Sequence, residues 1–183
     1  MRNSLISDLS RYKSSYNNKK NFIVQIIWYF LNAIIFKSSF FPFYLIKRYL
    51  LVFFGAKIGQ NFVIKTNVNI KYPWNLIIGN NVWLGENVWI DNLGEVIIGD
   101  SVCISQGVYL LTGNHNYKML NFELVVKPIN INSGVWIGAM SIVCPGVTME
   151  PNSVLSVGSV LTHDSKANYV YSGSPAILTK ARI

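Results

Sequence analysis

The sequence predicts an all-β solenoid, in which the chain winds in coils that each have three flat sides. An aliphatic residue returns at every sixth position from Ile58, and two extra residues after Ile70 and after Ile90 shift this pattern without ending it. A period of six is neither the helical period of about 3.6 nor the strand period of about 2. The fifth residue of most hexads is small or β-branched, which suits strands. Short repeats that recur this often are typical of solenoid proteins.

Each six-residue side is predicted to be a short strand whose first residue points inward. Gly, Asn and Asp are frequent at hexad positions two to four, where sharp corners need a positive φ or local side-chain hydrogen bonds. Stacked coils pair strand with strand, so each coil is stable only against its neighbours. The predicted inward residues are Ile58, Ile64, Ile70, Ile78, Leu84, Ile90, Ile98, Ile104, Leu110, Ile131, Ile137, Val143, Met149, Leu155 and Leu161.

The predicted organisation is one solenoid domain with extensions at both ends. The solenoid covers residues 56–166 and carries a loop at 111–130. Residues 1–55 precede it as an apolar helical cap, and residues 167–183 follow it as a tail.

The apolar part of the N-terminal region runs from Phe22 to Phe54 and is interrupted by polar residues and Pro42. Neither half reaches the ~20 apolar residues that a membrane span needs, so we expect two amphipathic helices that break near residues 38–42. The helices either cap the first coil, as solenoid ends require, or place an aromatic, basic face on the inner membrane. The preceding residues are polar and basic without a cleavage site, which argues against a secretory signal.

Composition narrows the partners and the compartment. A net charge of +8 and a pI near 9.5 favour an anionic partner, such as a phosphorylated cofactor, an anionic membrane or nucleic acid. No nucleic-acid-binding motif is present, so nucleic acid is not expected. Cys103 and Cys144 occupy hexad positions predicted to face outward, and they do not form a disulfide framework. Unpaired cysteines fit a reducing cytoplasm.

The repeat breaks after Leu110 and resumes at Ile131. A loop that leaves a rigid scaffold is a common place for function, and this one contains His115. A hydroxyl is a poor nucleophile at neutral pH, and histidine is the usual base because its pKa lies near the operating pH. The second histidine, His163, is far away in the sequence, and no Cys/His cluster has metal-ligand spacing, so no metal site is expected.

Three segments carry a family signature: Val135–Ala139, Pro145–Val147 and Val157–Val160. Together they resemble the acyl-CoA-dependent hexapeptide-repeat acetyltransferases, whose solenoid is a left-handed parallel β-helix. Gly113–Tyr117 resembles the sub-group that acetylates sugars in exopolysaccharide synthesis, typified by the colanic acid acetyltransferases. Further segments that resemble this sub-group are Phe54–Gly59, Lys71–Trp74 and Trp89–Gly94. The resemblance covers about the whole chain.

The resemblance implies a homotrimer, with acetyl-CoA as co-substrate in a groove between the C-terminal coils of two subunits. Trp136 lines the entry to the acetyl end or, alternatively, makes a trimer contact. Thr162 lies near the cofactor's phosphates, although His163 stands where the family usually has lysine. Lys180 and Arg182 can meet the 3′-phosphate or the pyrophosphate. The remaining implied cofactor residues are Gly138, Ala139, Ser156, Val157 and Gly158 along the pantetheine arm and Pro175 on the adenine side.

On the acceptor side, Asn87 matches an asparagine that contacts the acceptor in related enzymes, and Asn114 lies beside the histidine. Asp91 is expected either to orient His115 or to bind a sugar hydroxyl. Corner chemistry is the alternative for Asn87 and Asp91, because Asn and Asp are common at turns.

The function that follows is direct O-acetyl transfer from acetyl-CoA to a sugar hydroxyl in surface or exopolysaccharide biosynthesis, with His115 as general base. Backbone amides in the coil at residues 136–139 would stabilise the oxyanion. The alternatives are an amino-sugar N-acetyltransferase, a serine acetyltransferase and a non-catalytic β-helix scaffold. We expect the protein in the cytoplasm, with contact to a sugar or lipid-linked glycan acceptor and to the cytoplasmic face of the inner membrane.

Overall fold

Within the part of the chain that the computed structural model describes, residues 7–14 and 16–183, a parallel β-solenoid of five coils follows two helices and ends in a hairpin. Residues 1–6 of the predicted N-terminal cap lie outside the described residues. The helices are α1 (Phe22–Leu31), which continues into π-helix at Asn32–Phe36, and α2 (Tyr44–Phe53). Short 3₁₀ turns cover Leu9–Arg11 and Pro73–Asn75.

The strands are two to six residues long. They are β1 (Lys57–Ile58), β2 (Val63–Ile64), β3 (Asn69–Ile70), β4 (Leu76–Ile78), β5 (Trp83–Leu84), β6 (Trp89–Asp91), β7 (Val96–Ile98), β8 (Cys103–Ile104), β9 (Tyr109–Leu111), β10 (Gly113–His115), β11 (Leu124–Val126), β12 (Ile129–Ile131), β13 (Trp136–Ile137), β14 (Ile142–Val143), β15 (Thr148–Met149), β16 (Val154–Leu155), β17 (Val160–Leu161), β18 (Tyr169–Gly173) and β19 (Ala176–Ala181).

Three parallel sheets form the three sides of the solenoid. The first face is β1-β4-β7-β12-β15, the second is β2-β5-β8-β13-β16-β18 with β19 antiparallel at its edge, and the third is β3-β6-β9-β14-β17. The register stacks each predicted inward residue on the next: Ile58, Ile78 and Ile98 are direct partners on the first face. Every predicted inward residue from Ile64 onward is buried, and Ile58 is half-buried. The predicted aliphatic column is therefore confirmed.

The corners explain the asparagines of the hexads. Asn61, Asn81 and Asn152 follow the first face, and Asn67 and Asn87 follow the second, all with positive φ. Asparagine tolerates this left-handed region better than most residues. The side chains also stack between coils, since Asn61 Nδ2 donates to Asn81 Oδ1 at 2.9 Å. The corner that follows the third face carries the extra residues after Ile70, Ile90 and Leu110, and buried polar side chains such as Asn92 and Thr112 hold it.

The two N-terminal helices cover the first coil. The strands of the first coil pair only with the following coil, as in the bond from Gly59 N to Ile78 O. The backbone groups on the other edge of the first coil therefore have no strand partner, and side chains of the helices bond to several of the carbonyls. Trp28 Nε1 donates to Ile70 O at 2.9 Å, Lys47 Nζ donates to Lys65 O at 3.0 Å, and Arg48 donates to the carbonyls of residues 58 and 59.

Lys47 is one of the side chains that bond to the unpaired edge of the first coil. Its side chain is buried, and burial lowers the pKa of the ammonium group below the usual lysine value. A buried lysine with a lowered pKa is costly. The hydrogen bond to the Lys65 carbonyl and the Phe36 ring, 6.0 Å from Nζ, offset that cost.

We predict that Trp28→Ala lowers the free energy of unfolding by about 3–5 kcal/mol, the usual cost of removing a large buried side chain. Trp28 is buried and packs against the rings of Phe36 and Phe54. The substitution also removes the hydrogen bond from the indole to the first coil. Tyr29→Ala is the matched control, because Tyr29 is 68% exposed on the same helix. It should change the value by less than about 0.5 kcal/mol. Urea unfolding measures both, and equal losses would contradict the capping role of Trp28.

Candidate active site and cofactor groove

The predicted loop at 111–130 contains a β-hairpin. Strands β10 and β11 pair antiparallel, with His115 opposite Leu124. The hairpin leaves the solenoid at the corner after the third face, where Lys127 N donates back to Thr112 O at 2.9 Å. His115 therefore lies on a short sheet of its own, anchored at its base to the solenoid.

The imidazole of His115 is held by two aromatic rings and by a bond at one nitrogen. Its ring stacks on Phe122, with centroids 4.4 Å apart and planes 7° from parallel, and the Tyr12 ring lies 5.8 Å away. His115 Nδ1 is 2.9 Å from the Phe122 carbonyl oxygen. A carbonyl can only accept, so in the neutral ring the proton is on Nδ1 and Nε2 carries the free lone pair. This is the tautomer that a general base requires.

The predicted acceptor residues are only partly brought to the histidine. Asn114 is adjacent, and its Oδ1 accepts from the His115 backbone N–H at 2.8 Å. Asp91 forms an ion pair with Lys71 at 2.9 Å. Asn87 occupies a corner and accepts a hydrogen bond from Asn67. Among the described residues neither Asp91 nor Asn87 bonds to His115, so the Phe122 carbonyl, and not Asp91, orients the ring.

A separate groove of about 860 Å³ runs along the second face beside β19. This size suits an extended small-molecule ligand. Seven of the ten predicted cofactor residues line it: Trp136, Gly138, Ala139, Ser156, Val157, Lys180 and Arg182. We call it the cofactor groove. The other three lie outside its lining, with Gly158 at a corner, Thr162 beside His163, and Pro175 in the turn of the β18–β19 hairpin.

Sequence reasoning missed part of the lining, namely Ser105, Gln106, Val154, Leu155, Val170, Ala181 and Ile183. The register between neighbouring coils predicts two of these lining residues. Trp136 and Ile137 pair with residues 103 and 104, so the next two residues of that coil, Ser105 and Gln106, lie under Gly138 and Ala139. The Trp136 indole N–H donates to Ser105 Oγ at 3.0 Å, which fixes the tryptophan at the groove.

Gly138 is a glycine for a structural reason that the resemblance did not indicate. A Cβ on Gly138 would lie 2.6 Å from the Val157 backbone nitrogen and 2.9 Å from the Leu155 oxygen. The residue therefore allows two coils to approach each other closely.

Two basic residues, Arg182 and Lys180, line the cofactor groove, and they differ in the bonds that their side chains already form. Arg182 Nη1 donates to the Gly134 carbonyl at 2.7 Å and to the Asn152 carbonyl at 3.2 Å. Arg182 thus ties β19 to the corner after the first face. Lys180 also lines the groove and forms no ion pair among the described residues. Lys180 is the more available cation for a phosphate.

The two cysteines differ in burial. Cys103 is exposed, whereas Cys144 is half-buried against the core, and burial raises the pKa of its thiol. Cys144 therefore does not face fully outward as predicted, because it packs in part against the core. Across residues 7–14 and 16–183, no three His, Cys, Asp or Glu side chains come together as metal ligands do. In the same residues no helix is long and apolar enough to cross a membrane.

One chain alone does not bring the histidine to the groove. His115 is on the hairpin that leaves after the third face, and it is not among the residues that line the cofactor groove on the second face. His115 and the cofactor groove therefore lie on different sides of the same solenoid.

No family model matches the chain. A protein of Escherichia coli K12 named as a colanic acid biosynthesis acetyltransferase (WcaF) is 37% identical over 157 residues, which are 86% of each chain. A galactoside acetyltransferase in complex with coenzyme A is 26% identical, with a TM-score of 0.76 over 88% of this chain and 82% of its own. A Vibrio cholerae hexapeptide-repeat acetyltransferase with acetyl-CoA has a TM-score of 0.78 over 88% of both chains at 22% identity, and supports the fold alone.

The solenoid and its groove thus define an acyl-transferring enzyme built on a left-handed parallel β-helix. The 37% identity over most of both chains is specific enough to go further. The chain belongs to the family of hexapeptide-repeat acetyltransferases that includes the colanic acid acetyltransferase WcaF. The predicted fold class and the predicted acetyl-CoA-dependent acetyltransferase are confirmed.

We predict that Ala139→Leu weakens coenzyme A binding at least tenfold, because the larger side chain would occupy the cofactor groove that Ala139 lines. Met140→Leu is the matched control, since Met140 is the next residue, is exposed and lies outside the lining. Calorimetric titration with coenzyme A measures both affinities. Equal affinity of the Ala139 variant and the control would show that the cofactor binds elsewhere.

Proposed function

We propose that this enzyme transfers the acetyl group of acetyl-CoA to a sugar hydroxyl in surface or exopolysaccharide biosynthesis, with His115 as the general base. The observation that carries the proposal is the bond from His115 Nδ1 to the Phe122 carbonyl, which leaves Nε2 free to accept a proton. The names of the relatives support a sugar acceptor, since one is a galactoside acetyltransferase and one belongs to colanic acid biosynthesis.

In the proposed reaction, Nε2 of His115 takes the hydroxyl proton as the sugar oxygen attacks the thioester carbon. The tetrahedral intermediate then collapses, the C–S bond breaks, and the imidazolium returns the proton to the thiolate of coenzyme A. The developing oxyanion needs a backbone donor that is not already used. Gly138 N–H donates to Leu155 O, whereas Ala139 N–H has no acceptor among the described residues. We assign the oxyanion to Ala139 N–H.

A homotrimer is part of the proposal, because a neighbouring subunit would bring a second hairpin to the cofactor groove. The separation of His115 from the groove within one chain supports this assembly. Trp83 and Trp136 are each about half exposed on the second face and fit a subunit contact. Asn87, Asp91 and Asn114 remain proposed acceptor residues, and Gly158, Thr162 and Pro175 remain proposed cofactor residues.

We predict that His115→Ala loses at least ~100-fold in turnover with a hydroxyl acceptor, the usual contribution of a general base. Tyr117→Ala is the matched control, because Tyr117 is 70% exposed on the same loop. Release of the coenzyme A thiol measures turnover. Near-normal turnover of the His115 variant would overturn the mechanism, and retention of activity with an amino sugar alone would favour the N-acetyltransferase, because a free amine is already nucleophilic.

Peripheral contact with the cytoplasmic face of the inner membrane is a further part of the proposal. Residues 1–85 contain eleven Lys or Arg and one acidic residue, whereas residues 86–183 contain five Lys or Arg and seven acidic residues. The net positive charge of the chain therefore comes from the part that contains the N-terminal helices and the first coil. The same region exposes large apolar side chains, including Phe22, Ile23, Ile34, Phe40, Phe43, Leu45, Tyr49 and Phe53. Aromatic residues beside basic charge are typical of an interfacial helix on anionic lipid.

We predict that the protein co-sediments with vesicles containing phosphatidylglycerol, less with vesicles of phosphatidylcholine alone, and less at high salt because salt screens the charges. The double variant Tyr49→Ser, Phe53→Ser should lose most of this binding, since both side chains are about three-quarters exposed on α2. Tyr117→Ser is the control for an exposed aromatic on the loop. Equal sedimentation with and without anionic lipid would restrict the helices to the capping role.

A further inference from the structure

A second groove, of about 590 Å³, lies between α1 and the third face of the solenoid. We call it the helix groove. The helix side contributes Tyr29 and Lys37, and the solenoid side contributes Asn69, Lys71, Trp89 and Asp91. It shares no lining residue with the cofactor groove. Neither the donor nor the proposed base uses this space.

We infer that the helix groove binds a sugar unit of an oligosaccharide acceptor, away from the unit that is acetylated. This inference rests on the proposed function for its acceptor class, and it adds that the enzyme recognises a chain of sugars and not a single one. The groove would be a binding subsite without any part in the chemical step.

The chemistry of the lining matches the two surfaces of a sugar ring. A pyranose has apolar C–H faces, which pack on aromatic rings, and hydroxyl edges, which need donors and acceptors. Trp89 is about one-third exposed and is fixed by an edge contact with Tyr109, while Tyr29 is two-thirds exposed on the opposite wall. Rigid aromatic side chains with a few polar groups are typical of specific small-molecule sites.

The polar floor supplies both kinds of hydrogen-bonding group. Asp91 and Lys71 lie 2.9 Å apart, and Asp91 Oδ1 accepts no well-aligned hydrogen bond among the described residues. Asn69 is held in place because its Oδ1 accepts from Asn32 Nδ2 at 2.7 Å. A carboxylate, an ammonium group and an amide on one floor can bind vicinal hydroxyls through paired contacts.

The same floor argues against a lipid chain as the occupant. An alkyl chain over the Lys71–Asp91 pair would remove water from two charges without replacing their hydrogen bonds, which is costly. Hydroxyl groups would replace that water. Lys37 forms no ion pair in the described part of the chain, so the groove is net positive and accommodates acidic sugars as well as neutral ones.

The location links the helix groove to the histidine hairpin. Asp91 is the direct strand partner of Leu111, and the backbone N–H of Thr112 donates to the Asp91 carbonyl at 3.2 Å. Residue 112 is the last before β10, which carries His115. A glycan that occupies the groove can therefore continue past the base of the hairpin.

Ligand-observed NMR without acetyl-CoA tests this site, with neutral and acidic hexose oligosaccharides of one to four units as probes. We expect binding that strengthens with length, and at least a tenfold loss in Trp89→Ala. Asp91→Asn should also weaken binding, and it keeps the side-chain shape if the tryptophan variant folds poorly. Tyr169→Ala is the matched control, because Tyr169 is an aromatic residue of β18 that is exposed to the same extent as Trp89 and lies outside the helix groove. It should bind as the wild type does.

Absence of oligosaccharide binding by the wild type, binding that does not depend on length, or undiminished binding by the Trp89 and Asp91 variants would overturn the inference. Kinetics separate it from the proposed function. Trp89→Ala should raise KM for a tetrasaccharide and leave kcat for a monosaccharide unchanged. Transfer to monosaccharides without any preference for longer acceptors would contradict the sugar subsite in the helix groove and leave the proposed reaction intact. Oligosaccharide binding without any transfer to hydroxyls would contradict the proposed reaction and leave the subsite intact.

Discussion

The unpaired edge of the first coil is the constraint on which the rest of this molecule depends. Each of β1, β2 and β3 pairs with a strand of the following coil alone, whereas the strands of the inner coils pair on both sides. The outer backbone groups of the first coil therefore need partners from outside the solenoid, and the Ile70 N–H donates to Asn32 Oδ1 at 3.4 Å. The outer carbonyls need donors. The cap accordingly uses an indole, a buried ammonium group and a guanidinium group, from Trp28, Lys47 and Arg48. The need for donors accounts for part of the basic N-terminal region.

The fold was predictable because its repeat is short and each coil interacts only with its neighbours. The inward aliphatic column, the asparagine corners and the outgoing loop follow from spacing alone. Side-chain partners that come from different coils did not follow in the same way. The sequence predicts that Asp91 either orients His115 or binds a sugar hydroxyl. In the structure Asp91 pairs with Lys71, which lies 20 residues earlier and becomes adjacent only when one full coil has formed.

The site shows the same division between local and long-range information. Half of the residues that line the cofactor groove were predicted, and the resemblance to the acetyltransferases supplied them. Five of these residues occupy two stacked coils, namely Trp136, Gly138 and Ala139 in one and Ser156 and Val157 in the next. The tautomer of His115 depends on Phe122, across a hairpin whose pairing no periodicity predicts. The helix groove depends on how α1 docks on the third face, through Trp28 and the Asn32–Asn69 bond, and a linear pattern contains no such docking angle.

A parallel β-solenoid has no intrinsic length, since any coil is a template for another. The N-terminal cap and the C-terminal β18–β19 hairpin are what make this one finite. A chain that lost the cap would expose the unpaired N–H and C=O groups of β1, β2 and β3 beside an apolar column, which is the geometry that recruits foreign strands. The residues that seal the first coil therefore act against polymerisation, and the cap belongs to the solubility of the protein as much as to its stability.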